Sequence, residues 1–598
     1  MAEFNNPQQE PGMDRKLLVV FALTFLVIML FQPLLKKYGP QTPAKPENAA
    51  ETRSSGQPGA AVPAQSPTQS TQASTANGAN APASVPQQAT SESETVIEND
   101  VFKIVFTNRG GRVKSWILKK YTDDKGGQLE LVNAVAAEKF GYPLELWTYD
   151  ETLRNKLNTA LYVASTLPQS ARKDGAPAGT PAEITFAYDD SDAAVQKTYK
   201  FDRDSYVVGV RTSVTVKGAQ VTAFPMWPAG FGGDTTGPQY ATAQIVYQFD
   251  SKVERLAIKK ISGGGTLPGP FHWAGVSDQY FAAVFLPRDP QNAAMVTLHN
   301  TIEIPHNTSD ANNKQMDKVD VLGAAVGSMK GSTEERLYVG PKALSDLESV
   351  AVPGITGAEP DLRAIIDFGW LGIIARPLFL WLKWMYSHIV PNWGWAILLQ
   401  TLVINLALLP LRLSQMKSML KMQRVAPQIK SIQEKYKKYS LRDPKKAEMN
   451  EEISALYKRE GVNPAGGCLP LVIQMPFLFA YYRMLNVAMD LRHAPWLWIH
   501  DLSAADPWHI LPIAIIVTMF FMQRMTPQAG MDPAQQKMMN FMMPGMLGYM
   551  SWYLPAGLGL YWAAGQLIGI VQQAVMNRTS LGREMREMME KRARKKEK

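Results

Sequence analysis

The chain has 598 residues, carries 62 Lys and Arg against 53 Asp and Glu for a net charge of +9, and contains one cysteine, Cys468. A single cysteine excludes an intramolecular disulfide, and scattered histidines without HExxH or CxxC spacing argue against a metal centre, so no cofactor is expected. The mean hydropathy of −0.16 reads as soluble, but it averages a polar first part with a strongly apolar second part.

After a short polar start (residues 1–16), Leu17 to Leu35 is apolar and nearly uncharged between Arg15-Lys16 and Lys36-Lys37. At roughly 1.5 Å per residue such a run spans about 30 Å of hydrocarbon. It continues through Gln32-Pro33 without a small-residue cleavage site, so residues 17–35 are expected to be a retained first span. Residues 36–95 are rich in Pro, Ala, Ser, Gln and Thr and too poor in apolar side chains to offset ordering entropy, which predicts a flexible linker.

From 96 to 352 the pattern becomes short alternating strands, such as Val101 to Phe106, Glu183 to Tyr188 and Tyr206 to Val216. Turns such as Asn108-Arg109-Gly110-Gly111 punctuate them. A large antiparallel β-sandwich is expected. Residues 366–390 mix Arg376, Lys383 and His388 with Trp370, Trp381 and Trp384, which suits an amphipathic helix lying in a membrane interface.

Five further apolar stretches read as spans: 393–411, 467–487, 508–525, 538–554 and 558–576. With the first, that makes six. Lys and Arg crowd residues 412–463, whereas 488–507 holds only Arg492, and the tail 577–598 is again basic. Basic excess marks the cytoplasmic side. Both termini are therefore expected inside and the β domain outside, as in a bacterial inner membrane with a periplasmic domain.

Within 412–463, Val425, Ile429, Ile432 and Tyr436, then Met449, Ile453 and Leu456, fall at helical spacing on either side of Asp443-Pro444. This predicts a cytoplasmic helical hairpin with a narrow apolar seam and a basic outer face.

Polar residues inside spans carry the most information. Thr401 and Asn405 share a helix face, and Arg412 lies seven beyond, although Pro410 could kink the chain and swing it away. Gln474 lies in the third span, Thr518 and Gln523 in the fourth, and Trp562, Gln566 and Gln573 along one stripe of the last. Spacing fits interhelical hydrogen bonds of about 1 kcal/mol each and a polar cavity equally well. No Asp or Glu occupies a span core, which argues against a proton-coupled pump. Methionines at 475, 484, 538, 539, 542, 543, 546 and 550 are ordinary core filler or an adaptable apolar surface.

The run Val462-Asn463-Pro464-Ala465-Gly466-Gly467-Cys468-Leu469-Pro470 through Gln474-Met475-Pro476 closely resembles the entry to the third span of the YidC membrane protein insertases (the YidC/Oxa/Alb family). Similar matches are Trp498 to Ser503, Asp532 to Lys537, Asn392-Trp393-Gly394-Trp395 and Leu554-Pro555-Ala556-Gly557-Leu558. Upstream, Gln279-Tyr280-Phe281 and Leu337 to Pro341 look like the family's periplasmic domain. The resemblance implies the Gram-negative form: an α-helical polytopic membrane protein with six spans, a periplasmic β-supersandwich and no enzymatic activity. It implies insertion and folding of membrane proteins, alone or with the Sec translocon, through a hydrophilic groove open to cytoplasm and lipid and closed outside.

The family usually carries an arginine five residues before the span-two proline; here that position is Asn405. Thr401 keeps its family position, and Trp562, with Tyr561 beside it, matches a tyrosine that meets substrate. The expected groove residues are Thr401, Asn405, Arg412, Gln474 and Gln566, and the expected substrate contacts are Tyr561, Trp562, Met475, Met546 and Met550. Nascent membrane proteins are the expected clients. The basic tail and hairpin are expected to meet ribosomal RNA, and anionic phospholipids suit the tail equally. A transporter or channel with a periplasmic carbohydrate-binding domain would call for an intramembrane acid, a charge ring or an internal repeat. A carbohydrate enzyme would need a histidine and a carboxylate converging in a cleft, and His272, His299 and His306 have no recognisable partner motif.

Overall fold

Alternating burial along the strands dictates how the β domain closes. In a computed structural model of the chain, the described residues are 87–123, 125–168, 181–232, 243–249, 252–256, 258–305, 316–352, 362–439, 443–462, 469–525, 538–579, 582–583 and 587. The expected first span, most of the linker, the turn at 532–537 and most of the basic tail lie outside them. Among the described residues the strands form three antiparallel sheets of four, ten and five strands. The β domain includes residues ahead of 96, because Gln87 bridges to Asp189 and Glu94–Glu98 pairs with Phe102–Thr107.

In the ten-stranded sheet, Phe281–Pro287 is buried at every position, as a strand covered on both faces must be. It pairs with Thr333–Pro341, which pairs in turn with Val207–Val216. Trp116 meets Trp227 edge-on at 5.9 Å, and Phe106 stacks on Tyr199 at 5.2 Å, which joins the smaller sheets and the large one into a single core.

Glu335 breaks the apolar pattern. It is buried in Thr333–Pro341 with neither carboxylate oxygen partnered, and burial pushes its pKa well above the usual carboxylate range. The folded chain therefore holds the proton that the unfolded chain releases near pH 4–5. Stability is full below that range and declines as pH rises toward the folded-state pKa. Glu335→Leu is expected to stabilise the domain by about 1–3 kcal/mol at pH 8, with a smaller gain at pH 5. Thermal unfolding at the two pH values checks it.

Beyond the β domain come eight helices among the described residues: α1 (Gly372–His388), α2 (Trp393–Ala407), α3 (Leu409–Lys435), α4 (Lys445–Arg459), α5 (Leu469–Val487), α6 (Ile510–Met525), α7 (Met543–Ser551) and α8 (Ala556–Arg578). Helix α7 follows a π-helical turn, Met538–Met542. No single described helix is long and apolar enough to cross a membrane, but α2 and α3 pass together as a pair bent by 50°. Pro410 explains the break. Its residue cannot donate to the carbonyl four back, and it falls instead in the first turn of α3, where no donor is required. Helices α3 and α4 form a hairpin whose seam is Val425, Ile429, Leu456 and Val462.

The end of α5 and the segment between α5 and α6 tie the helices to the β domain. Arg492 Nη1 donates to the Thr122 carbonyl at 2.8 Å, and Gln279 Nε2 to the Asn486 carbonyl at 2.9 Å. Trp496 lies flat against Gly394, where an added Cβ would fall 2.1 Å from the indole Cδ1, so a side chain at 394 would displace the ring. Trp395 and Trp498 flank Trp496 at 5.7 and 5.4 Å.

Candidate functional site

The polar residues of α2 form a continuous chain of hydrogen bonds. Thr401 Oγ1 donates to the Ile397 carbonyl at 2.7 Å, which satisfies the hydroxyl within its own helix. Asn405 Nδ2 donates to the Thr401 carbonyl at 2.8 Å, leaving Asn405 Oδ1 to accept from Arg412 Nη2 at 3.0 Å. The displacement of Arg412 that a kink at Pro410 could have produced does not occur. The break at Leu408 leaves the side chain able to fold back along α2. Thr401 is 0% and Asn405 4% exposed, whereas Arg412 is half-buried. Among the described residues no carboxylate pairs with Arg412.

Helix α8 supplies the opposite wall. Gln572 Nε2 donates to the Asn405 carbonyl at 3.2 Å. Cβ atoms added at Gly565 and Gly569 would lie 3.8 Å from Asn405 Nδ2 and 2.8 Å from Arg412 Nη1, so small residues there make room for the polar groups. Gln474 and Gln566, expected in this set, are half-buried and form no hydrogen bond with it. Gln573, on the same expected stripe, donates to Asn577 Oδ1 at 2.9 Å. The stripe that faces α2 is therefore Gly565, Gly569 and Gln572, one position round the helix from the one read by spacing.

Gln400 is a second residue the sequence reading passed over. Its Nε2 donates to the Leu378 carbonyl at 2.9 Å, and its Oε1 accepts from Tyr481 OH at 2.7 Å. Polarity inside an apolar span, the signal that found Thr401, was equally available for Gln400 and Gln572. Tyr481 stacks on Tyr561 with centroids 4.1 Å apart. Tyr561, expected to meet substrate, is 5% exposed, and its ring completes this stack. Trp562, next to it, stays half-buried.

Four of the methionines, Met475, Met542, Met546 and Met550, are exposed, whereas Met484 is buried in the core. Phe541, Met542, Met546, Tyr549, Met550 and Tyr553 are exposed at helical spacing, while Pro544, Gly548 and Ser551 turn inward, and Met475 is exposed on α5. In the β domain His299 does meet a carboxylate. Its Nε2 lies 3.1 Å from Asp320 Oδ1 and its Nδ1 3.2 Å from the Ile261 carbonyl. Each ring nitrogen thus has a partner within the β domain; His306 is outside the described residues.

Two family models divide this architecture between them: one described as the YidC periplasmic domain matches residues 94–381, and one described as the 60Kd inner membrane protein matches residues 384–583. A membrane protein insertase YidC of Cupriavidus pinatubonensis is 34% identical over 482 residues, covering 76% of this chain and 80% of that protein. That of Ralstonia nicotianae is 31% identical over 572 residues, covering 94% and 96%. A solved structure of an active YidC insertase with its first transmembrane domain resolved covers 83% of this chain and 94% of its own, at 19% identity and a TM-score of 0.35.

Proposed function

Since the chain belongs to the YidC family of bacterial inner-membrane protein insertases, we propose that the Thr401–Asn405–Arg412–Gln572 cluster is the polar heart of a groove through which client tails begin their crossing. The single observation that carries this is the Arg412–Asn405 contact, a half-buried guanidinium held against the interior of α2 with no carboxylate among the described residues to neutralise it.

The physical obstacle to insertion is the cost of moving charge into hydrocarbon, roughly 2.5–3.5 kcal/mol per charged residue on insertion scales. A polar groove reaching partway into the bilayer shortens the dry path. Arg412 attracts an acidic tail, and the buried side-chain carbonyls of Gln523 and Gln572, unpartnered among the described residues, add acceptors. Gln474 and Gln566, half-buried nearby, extend the polar lining. The client's apolar segment then slides over Trp562, Met475, Met546 and Met550, soft side chains that accommodate many shapes. The tryptophan cap around Trp496 closes the outer end.

In this reading the chain crosses the membrane six times with both termini in the cytoplasm. The hairpin α3–α4 and the basic tail meet the ribosome, and the Sec translocon shares some clients. A photoreactive amino acid placed at Trp562, Met546 or Met550 is expected to crosslink a stalled single-span nascent chain, whereas one at Trp384 on α1 is not. Equal capture at Trp384 and at the other three positions would refute the assigned path.

A further inference from the structure

Gly569 of α8 is buried, and the space left by its missing side chain is taken up by side chains and not by backbone. The three atoms nearest to an added Cβ are Met522 Cε at 2.5 Å, Arg412 Nη1 at 2.8 Å and Arg412 Cζ at 3.6 Å. At Gly557, in the first turn of the same helix, the nearest is the Leu502 carbonyl oxygen at 3.2 Å, so that glycine serves the close approach of two backbones. Gly569 gives its space to a charge and a methyl group.

The guanidinium is held at two points across this space. Nη2 donates to Asn405 Oδ1 at 3.0 Å, and Nη1 lies against α8 at Gly569. Asn405 is itself fixed, since its Nδ2 donates to the Thr401 carbonyl at 2.8 Å and its own carbonyl accepts from Gln572 Nε2 at 3.2 Å. A guanidinium is a rigid planar fork, so placing Nη2 on Asn405 leaves Nη1 little freedom. The place that Nη1 then takes overlaps the one a β-carbon at 569 would fill. A side chain there and the Arg412–Asn405 contact therefore exclude one another. Met522 Cε and Arg412 Nη1 both end flexible side chains, which can swing aside without moving a helix. Alanine also favours a helix interior more than glycine does. Gly569→Ala should thus displace the cation and leave the fold standing.

We propose that Gly569 is a positioning residue for insertion: by lacking a side chain it seats the guanidinium of Arg412 against Asn405, and this seat sets the preference for clients with acidic tails. The inference rests on the groove given under the proposed function.

The test uses the full-length chain in reconstituted vesicles, with two single-span clients that differ only in an acidic or a neutral tail. Gly569→Ala is expected to slow the acidic client about threefold, the effect of losing one hydrogen-bonded contact while keeping the charge. The neutral client should keep its original rate. Gly545→Ala, the same replacement where nothing lies within 4 Å of the added carbon, should change neither rate. In an Asn405→Leu chain, where the contact is already gone, Gly569→Ala should cost nothing more.

Thermal unfolding in detergent gives a readout apart from insertion. The coupling between Asn405→Leu and Arg412→Ala in a double-mutant cycle is expected with glycine at 569 and is expected to vanish with alanine. An intact coupling in Gly569→Ala, equal slowing of both clients, an equal effect of Gly545→Ala, or a further loss in the Asn405→Leu chain would each overturn the proposal. A lost coupling with the acidic client unaffected would overturn the groove and the role in insertion together, leaving a seat that serves packing alone.

Discussion

Insertion of a single-span client with an acidic tail is expected to fall at least tenfold in Arg412→Ala. The guanidinium lies 3.0 Å from Asn405 Oδ1 and is the one cation that the described structure brings against the polar face of α2. Each tenfold corresponds to about 1.4 kcal/mol, the scale of one charge-assisted hydrogen bond in a partly buried setting. Asn405→Leu removes the acceptor that holds the guanidinium while keeping the charge, so a smaller loss of about threefold is expected, below one ordinary hydrogen bond.

The informative variant is the exchange, Asn405→Arg with Arg412→Asn, which returns arginine to the position where the family usually carries it. The exchange is expected to insert the client at close to the original rate, because what matters is a cation on that face and not the residue that presents it. A client with a neutral tail should be much less sensitive to all three changes. Rates of client insertion in reconstituted vesicles check the series. Wild-type rates in Arg412→Ala and Asn405→Leu, alone and combined, would remove the cluster from the mechanism.

The second large effect concerns the scaffold. Tyr481 is fully buried, stacks on Tyr561 of α8 and donates to Gln400 of α2, which in turn donates to the Leu378 carbonyl of α1. Tyr481 and Gln400 together therefore join four helices. Tyr481→Ala opens a cavity and strands Gln400 Oε1, for an expected loss of about 3–5 kcal/mol. Tyr481→Phe keeps the stack and loses only the hydrogen bond, for about 1–2 kcal/mol. Thermal unfolding in detergent should rank the two variants in that order, and equal losses would mean that the hydroxyl, not the ring, holds the helices together.

The β domain was legible in the sequence because period-two alternation and turn clusters are local signals, and a buried strand such as Phe281–Pro287 is apolar on both faces whatever surrounds it. The hairpin was legible for the same reason, its seam residues recurring at helical spacing. The site was legible only in part. Thr401, Asn405 and Arg412 stood out as polar residues in an apolar setting, but their joining depended on a break at Leu408 whose direction no local pattern specifies. The choice between the Gln566 and Gln572 stripes turned on a rotation of α8 by one residue. Apolar residues on nearly every side of that helix hide this rotation, because in a membrane-type bundle hydrophobicity no longer marks the inward face. The burial of Tyr561 was hidden for a related reason: an aromatic beside Trp562 looks equally accessible until its stacking partner Tyr481, eighty residues away, is in place.

The most direct measurement is thiol labelling from the cytoplasmic side in inverted membrane vesicles, using single cysteines in a Cys468→Ser background. Gln566→Cys and Gln572→Cys are expected to react readily with a membrane-impermeant maleimide, while Leu567→Cys, on the exposed apolar side of the same helix, stays unlabelled. If positions 566 and 572 prove as inert as 567, water does not reach the interior beside Asn405, and insertion must proceed by some other route.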